Sequence, residues 1–188
     1  MKSTPLSHPD QRSQRFILVP FCLICQAFQA KGIVRFDFSS VIKPVLDEIL
    51  DNDLNIVQMP CPESMLGGYS RGLSREPKGI KGYDNPEFLL ICEKIAQEVT
   101  TMIEGILHNG YEIVAILGME YSPSCSINLQ YSEKGTTHQP GHFISALQKK
   151  LDEKKIEIPF IGINRRGLKP TIKRIKDLLH SKNQRDLF

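Results

Sequence analysis

The chain has 188 residues, a net charge of +3, 40% hydrophobic and 24% charged residues. That balance suits one folded domain of about 150 residues with a small appendage, and it excludes a collagen, a coiled coil or a disordered chain. The longest apolar run, from Phe16 to Phe28, is broken by Pro20 and Gln26 and falls short of the roughly 18 residues of a membrane span.

Residues 1–14 are polar, lack the order of a signal peptide and read as a mobile leader, so a cytoplasmic protein is expected. Arg15 to Phe21 is a short apolar run of the kind that forms a buried parallel strand. Ser39 or Ser40 is placed to cap a helix over Val41 to Leu50, whose apolar positions recur at three and four. Leu54 to Met59 is a second strand, stopped by Pro60. From Cys61 to Tyr83 no periodicity survives, and a loop this long inside a domain is usually functional. Asn85-Pro86 opens a long helix to about Leu107. A third strand, Glu112 to Leu117, precedes a second loop from Gly118 to Pro140. Helix His142 to Lys154, strand Ile158 to Ile163 and helix Pro170 to Leu179 complete the domain, set at residues 15–180, with 181–188 as a tail. The order predicts a three-layer α/β/α sandwich around a four-stranded, mostly parallel, Rossmann-like sheet.

Charge and cysteine are unevenly placed. Residues 149–188 carry 12 Lys or Arg against 5 Asp or Glu, while residues 1–148 carry 12 against 16. The basic third is either a set of solvated helix faces or a footprint for a polyanion such as RNA. Ligands of open α/β sheets bind beyond the C-terminal strand ends. Cys22 follows the first strand, Cys61 the second, and Cys125 lies shortly after the third, so one edge of the sheet collects three thiols. Each alone reads equally well as a small core residue. Together they suit zinc or an iron–sulfur cluster, and composition does not choose between them. Cys22 and Cys25 also form a Cys-x-x-Cys, which elsewhere is a redox pair, and Cys92 in mid-helix reads as core.

Cys22-Leu23-Ile24, Pro60-Cys61-Pro62-Glu63 and Ser122-Pro123-Ser124-Cys125, with Gly67 to Arg71, resemble the signatures of the thiouracil desulfurase family over about Leu18 to Ile163. Cys25, Ser126 and the stretch Arg35-Phe36-Asp37 depart from its usual pattern. The resemblance implies a [4Fe-4S] cluster on Cys22, Cys61 and Cys125, with Ser124 bonding to cluster sulfide. An open iron would then take the sulfur of a thiolated pyrimidine, without net redox chemistry. In that reading Glu63 is the acid/base group, Ser122 orients the base or a water, and Arg71, Arg75 and Tyr121 contact substrate. Tyr69 and Tyr83 are further stacking faces, and His138 and His142 minor acid/base candidates. The expected partner is a thiolated nucleobase or nucleoside, either free or within a tRNA held by the basic C-terminal third. The alternative is a nucleic-acid-binding or sulfur-carrier protein with a structural metal site.

Overall fold

The computed structural model describes residues 10–68, 79–132 and 135–183. Four parallel strands form its central sheet: β1 (Arg15–Pro20), β2 (Asn55–Met59), β3 (Glu112–Met119) and β6 (Phe160–Ile163), in the order β2-β1-β3-β6. The apolar runs explain the order. Ile17, Leu18 and Val19 of β1 and Ile113 to Leu117 of β3 are buried on both faces, as central strands must be. The edge strands β2 and β6 alternate or stay half-buried. β1 pairs with β2 from Phe16 opposite Asn55 to Pro20 opposite Met59, and β3 pairs with β6 from Ile116 opposite Phe160.

The helices are α1 (Phe21–Ile24), α2 (Lys43–Asp51), α3 (Pro62–Gly67), α4 (Pro86–His108), α5 (His142–Glu153) and α6 (Lys169–Asn183). Right-handed crossovers dictate their sides. The step from β1 to β2 carries α2 on one face; the steps to β3 and β6 run the opposite way and carry α4 and α5 on the other. Accordingly α4 packs on α5 and α2 on α6, completing the expected sandwich. Asn85 caps α4 by accepting the Phe88 N–H at 3.0 Å, with Pro86 at the first helical position.

Several boundaries differ from the sequence expectation. Neither Ser39 nor Ser40 caps α2; it starts at Lys43 with Pro44 in its first turn, after the Ile42 N–H has bonded the Leu23 carbonyl at 2.9 Å. The fixed φ of Pro44 supplies the pre-organisation a cap would give. The first long loop contains α3 and a 3₁₀ turn at Ile80–Tyr83. The second contains a two-stranded antiparallel sheet of β4 (Leu129–Ser132) and β5 (Gly135–His138). This hairpin was unreadable because its strands lack an alternating apolar face, and only Gln130 is fully buried. Residues 10–14 are tied to the sheet: Asn55 Nδ2 donates to the Ser13 carbonyl at 2.7 Å, and the Glu112 N–H to that of Gln14 at 2.9 Å. Among the described residues no helix is long and apolar enough to cross a membrane.

Two glycines report how tightly the fold closes over the C-terminal strand ends. A Cβ at Gly118, on β3, would fall onto the Cys125 carbonyl oxygen and the Ile127 side chain, whereas one at Gly105, inside α4, meets nothing within 4 Å. Gly118→Ala should therefore destabilise by about 1–3 kcal/mol through overpacking. Gly105→Ala should stabilise by about 0.4–1 kcal/mol by restricting the unfolded chain. Urea denaturation of the two variants checks both signs.

Candidate functional site

Connections leave β1 and β3 in opposite directions across the sheet, which opens a crevice at the C-terminal ends of these two neighbours. A cleft of about 670 Å³ lies there, lined by the ends of β1 and β3 and by the segments that follow β2 and β6. After β1 the chain turns into α1, whose first turn carries Cys22. After β2, Cys61 precedes α3, and its carbonyl accepts the Ser64 and Met65 N–H groups, both at 3.1 Å. That turn carries Glu63 inward, leaving it 9% exposed. After β3 comes the tight segment Glu120 to Ser126. After β6, Asn164, Arg165 and Arg166 form a turn in which the Arg166 N–H donates to Asn164 Oδ1 at 3.1 Å.

At the centre is a hydrogen-bonded knot on Glu63. Ser122 Oγ donates to Glu63 Oε1 at 3.0 Å and Ser124 Oγ donates to the same oxygen at 2.8 Å. Each hydroxyl has one proton, and bonds to a carboxylate are the stronger ones, so both protons point at Glu63. Ser122 Oγ also accepts the Cys125 N–H at 3.0 Å, which fixes the thiol-bearing turn to the carboxylate. A second buried carboxylate holds the segment from behind. Glu120 Oε2 accepts from Ser126 Oγ at 2.7 Å, the Leu129 N–H at 2.8 Å and the Asn128 N–H at 3.2 Å. Its other oxygen lies where a Cβ on Gly162 would be, so only glycine fits there.

An aromatic wall adjoins this knot. The rings of Tyr121 and Tyr131 stack with centroids 4.6 Å apart and planes at 29°. Tyr121 takes a left-handed backbone, φ 65°, a costly conformation for a bulky residue that marks over-determined sites. Arg166 lies 5.9 Å from both ring centroids and donates to the Tyr131 hydroxyl at 2.8 Å. Arg165 Nη1 donates to the Ile33 carbonyl at 3.2 Å.

Cys22 and Cys125 line the cleft in their neutral form. Burial, reinforced by the nearby Cys61, pushes the Cys22 thiol up to about 12, with Arg165 opposing. Cys125 is raised well above the ordinary thiol value by burial and by Cys61 and Cys22. Cys22, Cys61 and Cys125 thus share one cleft, as their register requires. They do not form a metal centre. Among the described residues no three His, Cys, Asp or Glu side chains are grouped so as to hold a metal ion. This corrects the expected [4Fe-4S] cluster on Cys22, Cys61 and Cys125, the zinc and structural-metal alternatives, and the desulfurase enzyme that needed an open iron. The layout gives the reason. The cysteines follow three neighbouring strands in the order β2, β1, β3. Cys22 lies in α1, Cys61 ahead of α3 and Cys125 six residues beyond β3, so the strand order sets the edge each thiol reaches and not a common bonding distance. All five cysteines are free thiols, so Cys22 and Cys25 form no disulfide.

No family model matches the chain. No solved structure matches it. It is 25% identical over 116 residues to a Methanocaldococcus jannaschii protein described as uncharacterized, a match covering 62% of this chain and 70% of that one. The resemblance to thiouracil desulfurases therefore rests on the short motifs around Cys22, Cys61 and Cys125.

Of the residues singled out by sequence, Cys22, Cys61, Glu63, Tyr83, Tyr121, Ser122, Ser124 and Cys125 all line the cleft. Tyr69, Arg71 and Arg75 lie outside the described residues. His138 is paired with Leu129 in the hairpin, and His142 starts α5 with its ring edge-on to Phe88 at 6.1 Å; neither lines the cleft. Cys92 is core, as expected, and burial pushes its thiol up to about 12. Sequence reasoning missed Glu120, Tyr131, Arg165 and Arg166. An acidic residue at the end of an apolar strand and an Arg-Arg pair directly after another were the available signals.

Proposed function

We propose that the protein binds a nucleobase or nucleoside, with thiolated pyrimidines foremost, in this cleft. The stacked Tyr121 and Tyr131 beside the Glu63 knot carry the reading. Aromatic faces take a planar heterocycle whatever its substituents, and a carboxylate fixed in place by two hydroxyls sets an acceptor group beside them. Neutral thiols of Cys22 and Cys125 are weak, polarisable donors suited to a thiocarbonyl or carbonyl edge. A volume of about 670 Å³ lies within the range of small-molecule sites. Free thiols throughout the chain favour a reducing compartment, and we place the protein in the cytoplasm.

The basic C-terminal third is partly spent on the fold. Lys154 pairs with Glu104 at 2.7 Å, and Lys150 with Glu93 and Lys176 with Glu48 at 3.3 Å each. This favours a free base or nucleoside over a tRNA. Calorimetric titration with uracil, uridine, 2-thiouridine and 4-thiouridine tests the reading. Saturable binding should weaken about 5- to 150-fold in Tyr121→Ala, the range expected for one stacked base. No saturable binding of any of them at millimolar concentration overturns it. Steeply salt-dependent binding of thiolated tRNA without binding of the free nucleosides would move the reading to the nucleic acid.

A further inference from the structure

We infer that Arg165 and Arg166 form an oxyanion subsite on the wall of the cleft, so that the ligand carries a phosphate or carboxylate beside its planar ring. This deepens the proposed function and rests on it for the identity of the ring, though not for the anion.

The argument starts from charge balance. Among the described residues, three arginines line the cleft: Arg35, Arg165 and Arg166. Arg35 is neutralised locally, since its Nε and Nη2 reach the two carboxylate oxygens of Asp37 at 3.1 Å each. Arg165 and Arg166 are not. Among the described residues neither has a carboxylate within ion-pair distance; their partners are the Ile33 carbonyl and the Tyr131 hydroxyl. The cleft's own acids are engaged elsewhere, Glu63 with Ser122 and Ser124, and Glu120 with Ser126 and two backbone amides. Arg165 is half-buried, and Arg35 and Arg166 both add like charge to it. A partly desolvated guanidinium next to a second one without a carboxylate is unfavourable unless a counter-charge arrives.

The local geometry makes the pair a receptor rather than a stray cluster. The Asx turn at Asn164 fixes the backbone of Arg166. The Ile33 carbonyl engages one Nη of Arg165, and Tyr131 one Nη of Arg166. A guanidinium has five N–H donors, so each keeps donors for a ligand, in the fork that matches phosphate or carboxylate oxygens. Arg166 also lies 5.9 Å from both tyrosine rings. A ring stacked on that wall and an oxyanion on the arginines then fall within the length of one nucleotide or one carboxylated base.

The test compares uridine with uridine 5′-monophosphate, and uracil with orotate, by calorimetry at low salt, with inorganic phosphate as competitor. At least one anionic ligand should bind tenfold or more tighter than its neutral counterpart, and phosphate should compete with it. Arg165→Gln should remove that advantage, and Arg165→Lys, which keeps the charge but not the fork, should retain part of it. Thermal melts confirm that each variant is folded. Equal binding of charged and neutral members in both pairs, without competition by phosphate, overturns the subsite while leaving the nucleoside reading intact. Binding of inorganic phosphate that is lost in Arg165→Gln, with no binding of any ring compound, upholds the subsite and overturns the nucleoside reading.

Discussion

Glu120→Ala should lower the stability of the fold by about 3–5 kcal/mol, whereas Glu120→Gln should cost much less. One oxygen of this buried carboxylate satisfies the Ser126 hydroxyl and the amides of Asn128 and Leu129. Bonds to a charged group contribute about 1.5–3 kcal/mol each, and donors left buried without a partner cost about 1–3 kcal/mol each. Alanine removes the acceptor and opens a cavity over Gly162 as well. Part of the loss is recovered, because the Leu129 N–H also lies 3.0 Å from Ser126 Oγ. Glutamine keeps one oxygen for the three donors and nearly the same volume. For a domain of this size each kcal/mol moves the melting temperature by about 2–4 °C, so alanine should shift it by roughly 6–20 °C. Thermal unfolding followed by circular dichroism reads this directly. Equal losses for alanine and glutamine would mean that the negative charge, which both remove, and not the volume over Gly162 or a neutral acceptor, holds the segment.

That residue also shows what sequence can and cannot reveal. The apolar runs at Arg15, Leu54, Glu112 and Ile158 identify four strands, of which β1 and β3 are buried on both faces and the edges β2 and β6 only in part. Crossover handedness then sends Cys22, Cys61 and Cys125 to one edge, and they do line one cleft. Chain position fixes which edge a side chain reaches. It does not fix whether three donors meet at bonding distance, and among the described residues these three form no metal site. The hairpin of β4 and β5 was hidden because Gln130 and Thr137 replace the apolar alternation that marks a half-buried strand. Glu120 was hidden because a single acid after a strand usually means solvent. Here it is held by amides contributed by the very loop that looked structureless. Arg165 and Arg166 were absorbed into a basic surplus, although Lys150, Lys154 and Lys176 of that surplus pair with glutamates and these two do not.

The thiols give the other large effect. In the folded protein Cys22 should react with iodoacetamide at pH 8 at least about thirtyfold more slowly than an ordinary thiol, the greater nucleophilicity of its thiolate offsetting part of the lost thiolate fraction. Only the thiolate is the nucleophile, and moving a thiol from 9.0 to about 12 lowers its thiolate fraction at that pH by about three orders of magnitude. The cause is burial, then the neighbouring Cys61, so the protection belongs to the native cleft and vanishes on unfolding. Cys92, in the core of α4 and 1% exposed, is raised equally but is reachable only through opening of the fold, which makes it an internal reference. Labelling of Cys22 should climb tenfold per pH unit up to about pH 12, while that of Cys92 follows the unfolding equilibrium. The same shift makes stability fall in alkali. A thiol whose value is raised in the folded state contributes stability that is complete below its unfolded value near 9 and is lost as pH climbs toward 12. Urea midpoints should accordingly hold from pH 7 to 8.5 and drop beyond, with Cys22→Ala reducing the drop. Peptide mass spectrometry after timed alkylation separates the five cysteines. If Cys22 labels at pH 8 as fast as a free cysteine while Cys92 stays protected, its sulfur is hydrated in the native state. Its part in binding a thiocarbonyl through a neutral, desolvated thiol would then have to be abandoned.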